Sequence, residues 1–132
     1  MQEPRKRTVL IVDDDEDMRS ALQHIFKSRG YHIILASDGQ EAYELTLKTP
    51  LDAIITDVRM PKMNGVELLR RVKNKLPDLP VIFLITGFTD VSESEALRLG
   101  AAGFVEKPFN VERIVRQLEE AIARFTGSNA PL

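Results

Sequence analysis

Five short apolar runs, each followed by a stretch of helical period, constrain this chain more than any other feature of its sequence. Thr8–Val12 (TVLIV) is β-branched and almost wholly apolar, as suits a strand covered on both faces. Met18, Leu22, Ile25 and Phe26 then recur at helical spacing, and Gly30 supplies a stop. Tyr31–Ala36 reads as a second strand. Asp38 with Glu41 is a capping pair that opens a second helix, bounded by Pro50. Ala53–Thr56 is a third strand that ends on Asp57, and Asn64 with Glu67 opens a third helix striped by Val66, Leu69 and Val72. Val81–Ile85 is a fourth strand. Asp90 with Glu93 opens a fourth helix that stops near Gly100. Its apolar stripe is thin (Ala96, Leu97, Leu99) and its serines are poor helix formers, so it is expected to be the least firmly docked helix. Ala102–Val105 is a fifth strand, closed by Lys107-Pro108. Asn110 caps a last helix with Val111, Ile114, Val115, Leu118, Ile122 and Phe125 on one face.

Strict alternation of this kind predicts an α/β fold: an open, doubly wound (βα)5 sheet of five parallel strands with helices on both faces. The 132 residues suit one domain over residues 8–125, after a polar lead (1–7) and before a tail or linker stub (126–132). Eighteen basic against twenty acidic residues give a net charge of −2, which argues against direct nucleic-acid binding by this domain. Cysteine is absent, so thiol chemistry and disulfides are excluded. Apolar runs reach about five residues, far short of the ~20 of a membrane span. The polar lead is not followed by the apolar core of a signal peptide, so the expected location is the cytoplasm.

In open parallel sheets, ligands bind outside the carboxyl ends of the strands. Here those ends carry Asp13-Asp14, Ala36-Ser37, Asp57, Thr86 and Lys107. Three carboxylates brought together repel one another, and a divalent cation relieves the repulsion. Hard oxygen donors without His or Cys point to Mg²⁺, with Mn²⁺ as a substitute, rather than zinc. Acids, a hydroxyl and a lysine are together complementary to a phosphoryl group and its metal, and one carboxylate can serve as the nucleophile that forms an aspartyl-phosphate.

Four segments, VLIVDDDEDMR (9–19), ITDVRMPKMNGVELL (55–69), VIFLITG (81–87) and GAAGFVEKPF (100–109), stand in the order and at the separations of a known family. The chain resembles the receiver domain of a two-component response regulator over residues 8 to about 125. The resemblance implies a flavodoxin-like sheet of strand order 2-1-3-4-5. It implies Asp57 as phosphoacceptor, and Mg²⁺ held by Asp13, Asp14, Asp57 and the main-chain carbonyl of Arg59. Thr86 would hydrogen-bond the phosphoryl group and Lys107 would pair with one of its oxygens, with a cis bond to Pro108. Phe104 matches the aromatic switch position. The implied donor is a histidine kinase or a histidine phosphotransfer protein. The implied output is a change in the face of helix 4, strand 5 and helix 5, through which a homodimer can form.

Other readings of the same residues are weaker. The acid run Asp13–Asp17 also suits a helix start. It resembles a calcium loop, but Met18 and His24 stand where Gly and Glu are needed. It also resembles the nucleophile motif of haloacid-dehalogenase-type phosphatases, but Asp17 departs from that motif. A receiver-like interaction module without phosphoryl chemistry is the main alternative, and retention of all five site residues argues against it. His24 and His32 read as helix-surface and strand residues. Arg5, Lys6 and Arg7 read as a solvated start. Two departures bear on the switch and the phosphoryl lifetime: Phe104 has no phenol hydroxyl, and Arg59 and Phe88 lie two residues beyond Asp57 and Thr86.

Overall fold

The computed structural model of the protein describes residues 6–78, 80–87 and 91–125. Phe88, Asp90, Arg5 and the tail 126–132 lie outside the described residues. Five strands and five helices alternate: β1 (Thr8–Val12), α1 (Glu16–Ser28), β2 (His32–Ala36), α2 (Gly39–Lys48), β3 (Ala53–Asp57), α3 (Gly65–Lys75), β4 (Val81–Thr86), α4 (Glu93–Arg98), β5 (Gly103–Glu106) and α5 (Val111–Phe125). The strands form one parallel sheet of order β2-β1-β3-β4-β5, the doubly wound flavodoxin-like arrangement.

The side-chain period of two splits each central strand between two cores. Val9, Ile11, Ile55, Phe83 and Ile85 point to one face, where Leu22 and Phe26 of α1 and Ile114, Val115, Leu118 and Ile122 of α5 cover them. Leu10, Val12, Ile54, Ile82 and Leu84 point to the other, against Ala42 of α2, Leu68, Leu69 and Val72 of α3, and Ala96 of α4. β1, β3 and β4 are therefore buried along their whole length, which is why their sequences are apolar runs rather than alternations. β2 is an edge strand and is only partly covered, beginning with exposed His32.

Local signals set most helix ends. The side chains of Asp15, Asp38 and Asn64 each accept a backbone N–H in the first turn of α1, α2 and α3. Asn110 accepts from Arg113 N at 3.2 Å at the start of α5. Gly30 and Gly100 take positive φ (91° and 109°) after α1 and α4, where a side chain would be strained. The fourth helix departs from the sequence expectation. Ser92 is its cap, accepting from Glu95 N at 3.2 Å, and the helix has six residues. Leu97, read as core from its spacing, is 48% exposed. A helix of under two turns cannot bring both Leu97 and Ala96 to one contact line, and Ala96 is the residue that is buried.

Lys73 closes the bottom of the α3–β4 connection. Its Nζ donates to Pro80 O at 2.6 Å, with the carbonyls of Asp78 and Pro77 at 3.4 and 3.5 Å. Burial holds its ammonium below the usual lysine range, and the Asp78 charge opposes that shift. Asp52 ties the strand starts together: it is buried, and Oδ2 accepts from Thr8 N at 2.8 Å.

Candidate functional site

The strand order reverses between β1 and β3, and the carboxyl ends of those two strands carry Asp13 and Asp57. Asp13 follows Val12 directly and is buried. Asp57 ends β3, with 8% of its surface exposed. Asp14, one residue on, is exposed. One carboxylate oxygen from each of the three lies within 4.8 Å of the others. The acids that the sequence pattern assigned to one edge do converge there.

Opposite charge comes from β5. Lys107 Nζ lies 3.2 Å from Asp57 Oδ2, and its own N–H donates to Thr86 O at 2.8 Å. The lysine is thus fixed to the end of β4 through its backbone while its side chain reaches over to β3. The Lys107–Pro108 peptide bond is cis. Gly87 borders the lysine stem, so that a Cβ there would meet Lys107 Cδ at 3.6 Å. Asp57 Oδ1 accepts from Arg59 N at 3.3 Å, and Val58 N donates to Ile85 O at 2.9 Å, which carries the chain out of β3 past the site. The other side of the Asp57 main chain is closed by Gly65, where a Cβ would stand 2.2 Å from Asp57 O.

Asp13 is the strained member of the acid group. Burial raises its carboxyl pKa from 3.8 to about 6, and the charges of Asp57 and Asp14 add to the rise. The Asp15 amide, donating to Oδ1 at 2.9 Å, and the Lys107 charge oppose it. A desolvated carboxylate beside two others, with Lys107 as a counter-charge, is a group that a divalent cation would relieve. All donors are hard oxygens, so the set fits Mg²⁺ rather than a softer metal.

Thr86 is buried at the end of β4, one register step beyond Ile85, the partner of Asp57. Leu84 pairs with Phe104 across β4 and β5, so by strand alternation Thr86 and Phe104 project to the same face of the sheet, the α4 side. Phe104 is half-buried against that core. It borders a groove of about 360 Å³ whose lining includes Glu93, Phe109, Arg113 and Gln117. The sequence reading brought these residues to one edge but missed the positions that hold them. Asp15 donates its amide to Asp13, and the Arg19 guanidinium donates to Asp13 O at 2.5 Å. The signal was present in the acid run, where Asp15 is both the α1 cap and the support of Asp13.

A parallel doubly wound sheet with three carboxylates and a lysine at its switch point defines a class of signalling domain, the receiver. The model of the Response regulator receiver domain family matches residues 9–119, and the chain belongs to that family. Such domains work in two-component signalling and are signalling modules rather than classical enzymes. They are generally Mg²⁺-dependent, and their partners are histidine kinases or phosphotransfer proteins. The chain is 36% identical over 118 residues to the transcriptional regulatory protein FixJ of Bradyrhizobium diazoefficiens, covering 89% of this chain and 57% of that protein. It is 36% identical over 119 residues to the response regulator MprA of Mycolicibacterium vanbaalenii, covering 89% of this chain and 51% of the relative. The chain therefore spans about half the length of these curated relatives. Among solved structures, it matches the beryllofluoride-activated NtrC4 receiver domain dimer at TM-score 0.83 and 34% identity, over 90% of this chain and 98% of that one. The chemotaxis response regulator CheY4 of Vibrio cholerae matches at TM-score 0.79 and 33% identity, over 89% of this chain and 99% of that one. Among the described residues, no helix is long and apolar enough to cross a membrane.

Proposed function

We propose that this domain accepts a phosphoryl group on Asp57 from a phosphohistidine on a partner kinase or phosphotransfer protein. The observation that carries the reading is the surroundings of one carboxylate. Asp57 is almost buried, has Lys107 at 3.2 Å on one oxygen and Arg59 N at 3.3 Å on the other, and sits within 4.8 Å of Asp13 and Asp14. An Asp57 oxygen attacks phosphorus, the new P–O bond forms as the P–N bond breaks, and the departing imidazole keeps the electron pair. Asp13, Asp14, Asp57 and the Arg59 carbonyl would hold Mg²⁺, which supplies charge neutralisation for the transferring group. Lys107 exchanges its contact with Asp57 for one with a phosphoryl oxygen. Thr86 hydrogen-bonds another.

The reset is hydrolysis of the acyl phosphate. The readout runs through Thr86 and Phe104, which share a sheet face, to the surface of α4, β5 and α5. A six-residue helix with one buried side chain is the element of this fold that reorganises most readily. The dimer of the beryllofluoride-activated NtrC4 receiver, at 34% identity, supports an activation-linked homodimer, and we assign it to that surface. We take the domain as residues 8–125, and the chain's net charge of −2 argues against direct nucleic-acid binding by it. Incubation with acetyl phosphate and Mg²⁺, followed by intact mass, tests the acceptor: one phosphoryl gained only with Mg²⁺ is expected, and no gain with acetyl phosphate or a cognate kinase rejects it. Light scattering with and without beryllofluoride tests the dimer, and an unchanged monomer mass at high concentration rejects it.

A further inference from the structure

We propose that Gly39 is a positioning residue for the acceptor site: the bare backbone at the start of α2 sets the β3–α3 loop, and with it the place of Arg59 beside Asp57. The inference rests on the phosphoacceptor reading above and deepens it. A Cβ at Gly39 would lie 2.0 Å from the Met63 carbonyl oxygen and 2.8 Å from Met63 C and Cβ. Backbone φ does not demand glycine here, since the positive-φ glycines among the described residues are Gly30 and Gly100. Space demands it. The obstructing atom is main chain, so it cannot turn aside as a flexible side chain can.

The loop from Val58 to Asn64 is held at three places. At its start, Val58 N donates to Ile85 O at 2.9 Å and Arg59 N to Asp57 Oδ1 at 3.3 Å. At its end, Gly65 N donates to Val58 O at 2.9 Å. In between, α2 holds it: Met63 is buried against Gly39, and Lys62 Nζ lies 3.7 Å from Asp38 Oδ2. Lys62 adopts φ 70°, a left-handed conformation rare for a side chain of its size, and Met63 N donates back to Pro61 O at 2.8 Å. A tight turn clamped at both ends transmits a displacement instead of absorbing it. An alanine at position 39 forces the start of α2 and Met63 apart by about 1 Å, since real Cβ atoms essentially never approach within 3.0 Å. A site of this kind tolerates about 0.5 Å, and a misplacement of about 1 Å can lower a rate about a hundredfold.

The test compares Gly39→Ala with wild type and with Ile122→Val, a core change on the opposite face of the sheet. Mg²⁺ affinity is read by calorimetry, phosphorylation rate with acetyl phosphate, and the Arg59 amide by NMR. The expected result is Gly39→Ala folded, with Mg²⁺ affinity and phosphorylation rate each lowered ten- to a hundredfold and the Arg59 amide shifted. Ile122→Val lowers Tm without moving any of the three. Wild-type affinity and rate in folded Gly39→Ala overturn the inference. Should that variant fail to fold, a Mg²⁺ titration of the wild type decides: the Gly39 and Met63 amides are expected to move with the same midpoint as Arg59, and stationary ones overturn it. A wild-type chain that neither binds Mg²⁺ nor accepts phosphoryl defeats the acceptor reading itself, which separates the two failures.

Discussion

Removing the charge of Asp13 should stabilise the metal-free protein, and the gain should depend on pH. The folded state raises this carboxyl from 3.8 to about 6, chiefly through burial. A tenfold change in proton affinity is about 1.4 kcal/mol, so the charged form is disfavoured in the fold by about 3 kcal/mol. The sign follows from a folded pKa above the unfolded one. The proton is bound more tightly in the fold, that stabilisation is complete below about pH 4, and it is lost as pH rises through about 6. Asp13→Asn keeps an oxygen for the Asp15 amide and never ionises. In chelator, the variant should match the wild type at acid pH and exceed it by up to about 3 kcal/mol above pH 7, roughly 10 °C in Tm. Urea unfolding at intervals from pH 4 to pH 8, with both proteins in parallel, gives the difference directly. Mg²⁺ supplies the second arm. Above its Kd, each tenfold rise in Mg²⁺ should add about 1.4 kcal/mol to the wild type and much less to the variant. A stability difference that is flat with pH, or an equal response to Mg²⁺, would refute the assignment of Asp13 as a buried charge awaiting a cation.

Two further substitutions probe the frame that holds the site. Asp52→Ala leaves the buried Thr8 amide without its side-chain acceptor and should destabilise by about 1–3 kcal/mol in urea unfolding, against no change if water replaces the carboxylate. Gly103→Ala drives a methyl to 2.4 Å from the Phe83 ring between β4 and β5 and should destabilise by about 1–3 kcal/mol; an unchanged midpoint would mean that the ring yields freely.

The architecture was readable because the strands are buried on both faces. Residues 9–12, 53–55 and 81–85 are apolar throughout, and their shortness with turn signals on either side marks them as buried strands. The candidate edge was readable because strand ends in a parallel sheet converge, so the nearness of Asp13, Asp57 and Lys107, with Thr86 at the end of β4, needed only their order along the chain. What the sequence hid depends on three-dimensional closeness. Gly39 and Gly65 look like ordinary helix-start glycines until the Met63 and Asp57 carbonyls are placed against them. Arg19 looks like a surface residue of α1 until its guanidinium is seen on Asp13 O. The start of α4 was placed on Asp90 from its spacing to Glu93, whereas the Ser92 hydroxyl is the cap and accepts from Glu95 N. Leu97 was misread because a periodic stripe over six residues is too short to define a face.

The central claim is that Asp57 carries the phosphoryl group. The most direct measurement is intact mass after treatment with acetyl phosphate, with and without Mg²⁺, followed by borohydride reduction and peptide mapping. The account predicts a Mg²⁺-dependent gain of about 80 Da, conversion of residue 57 to homoserine on reduction, and neither change in Asp57→Asn. A phosphoryl group mapped to another residue, or an equal gain in Asp57→Asn, would contradict it.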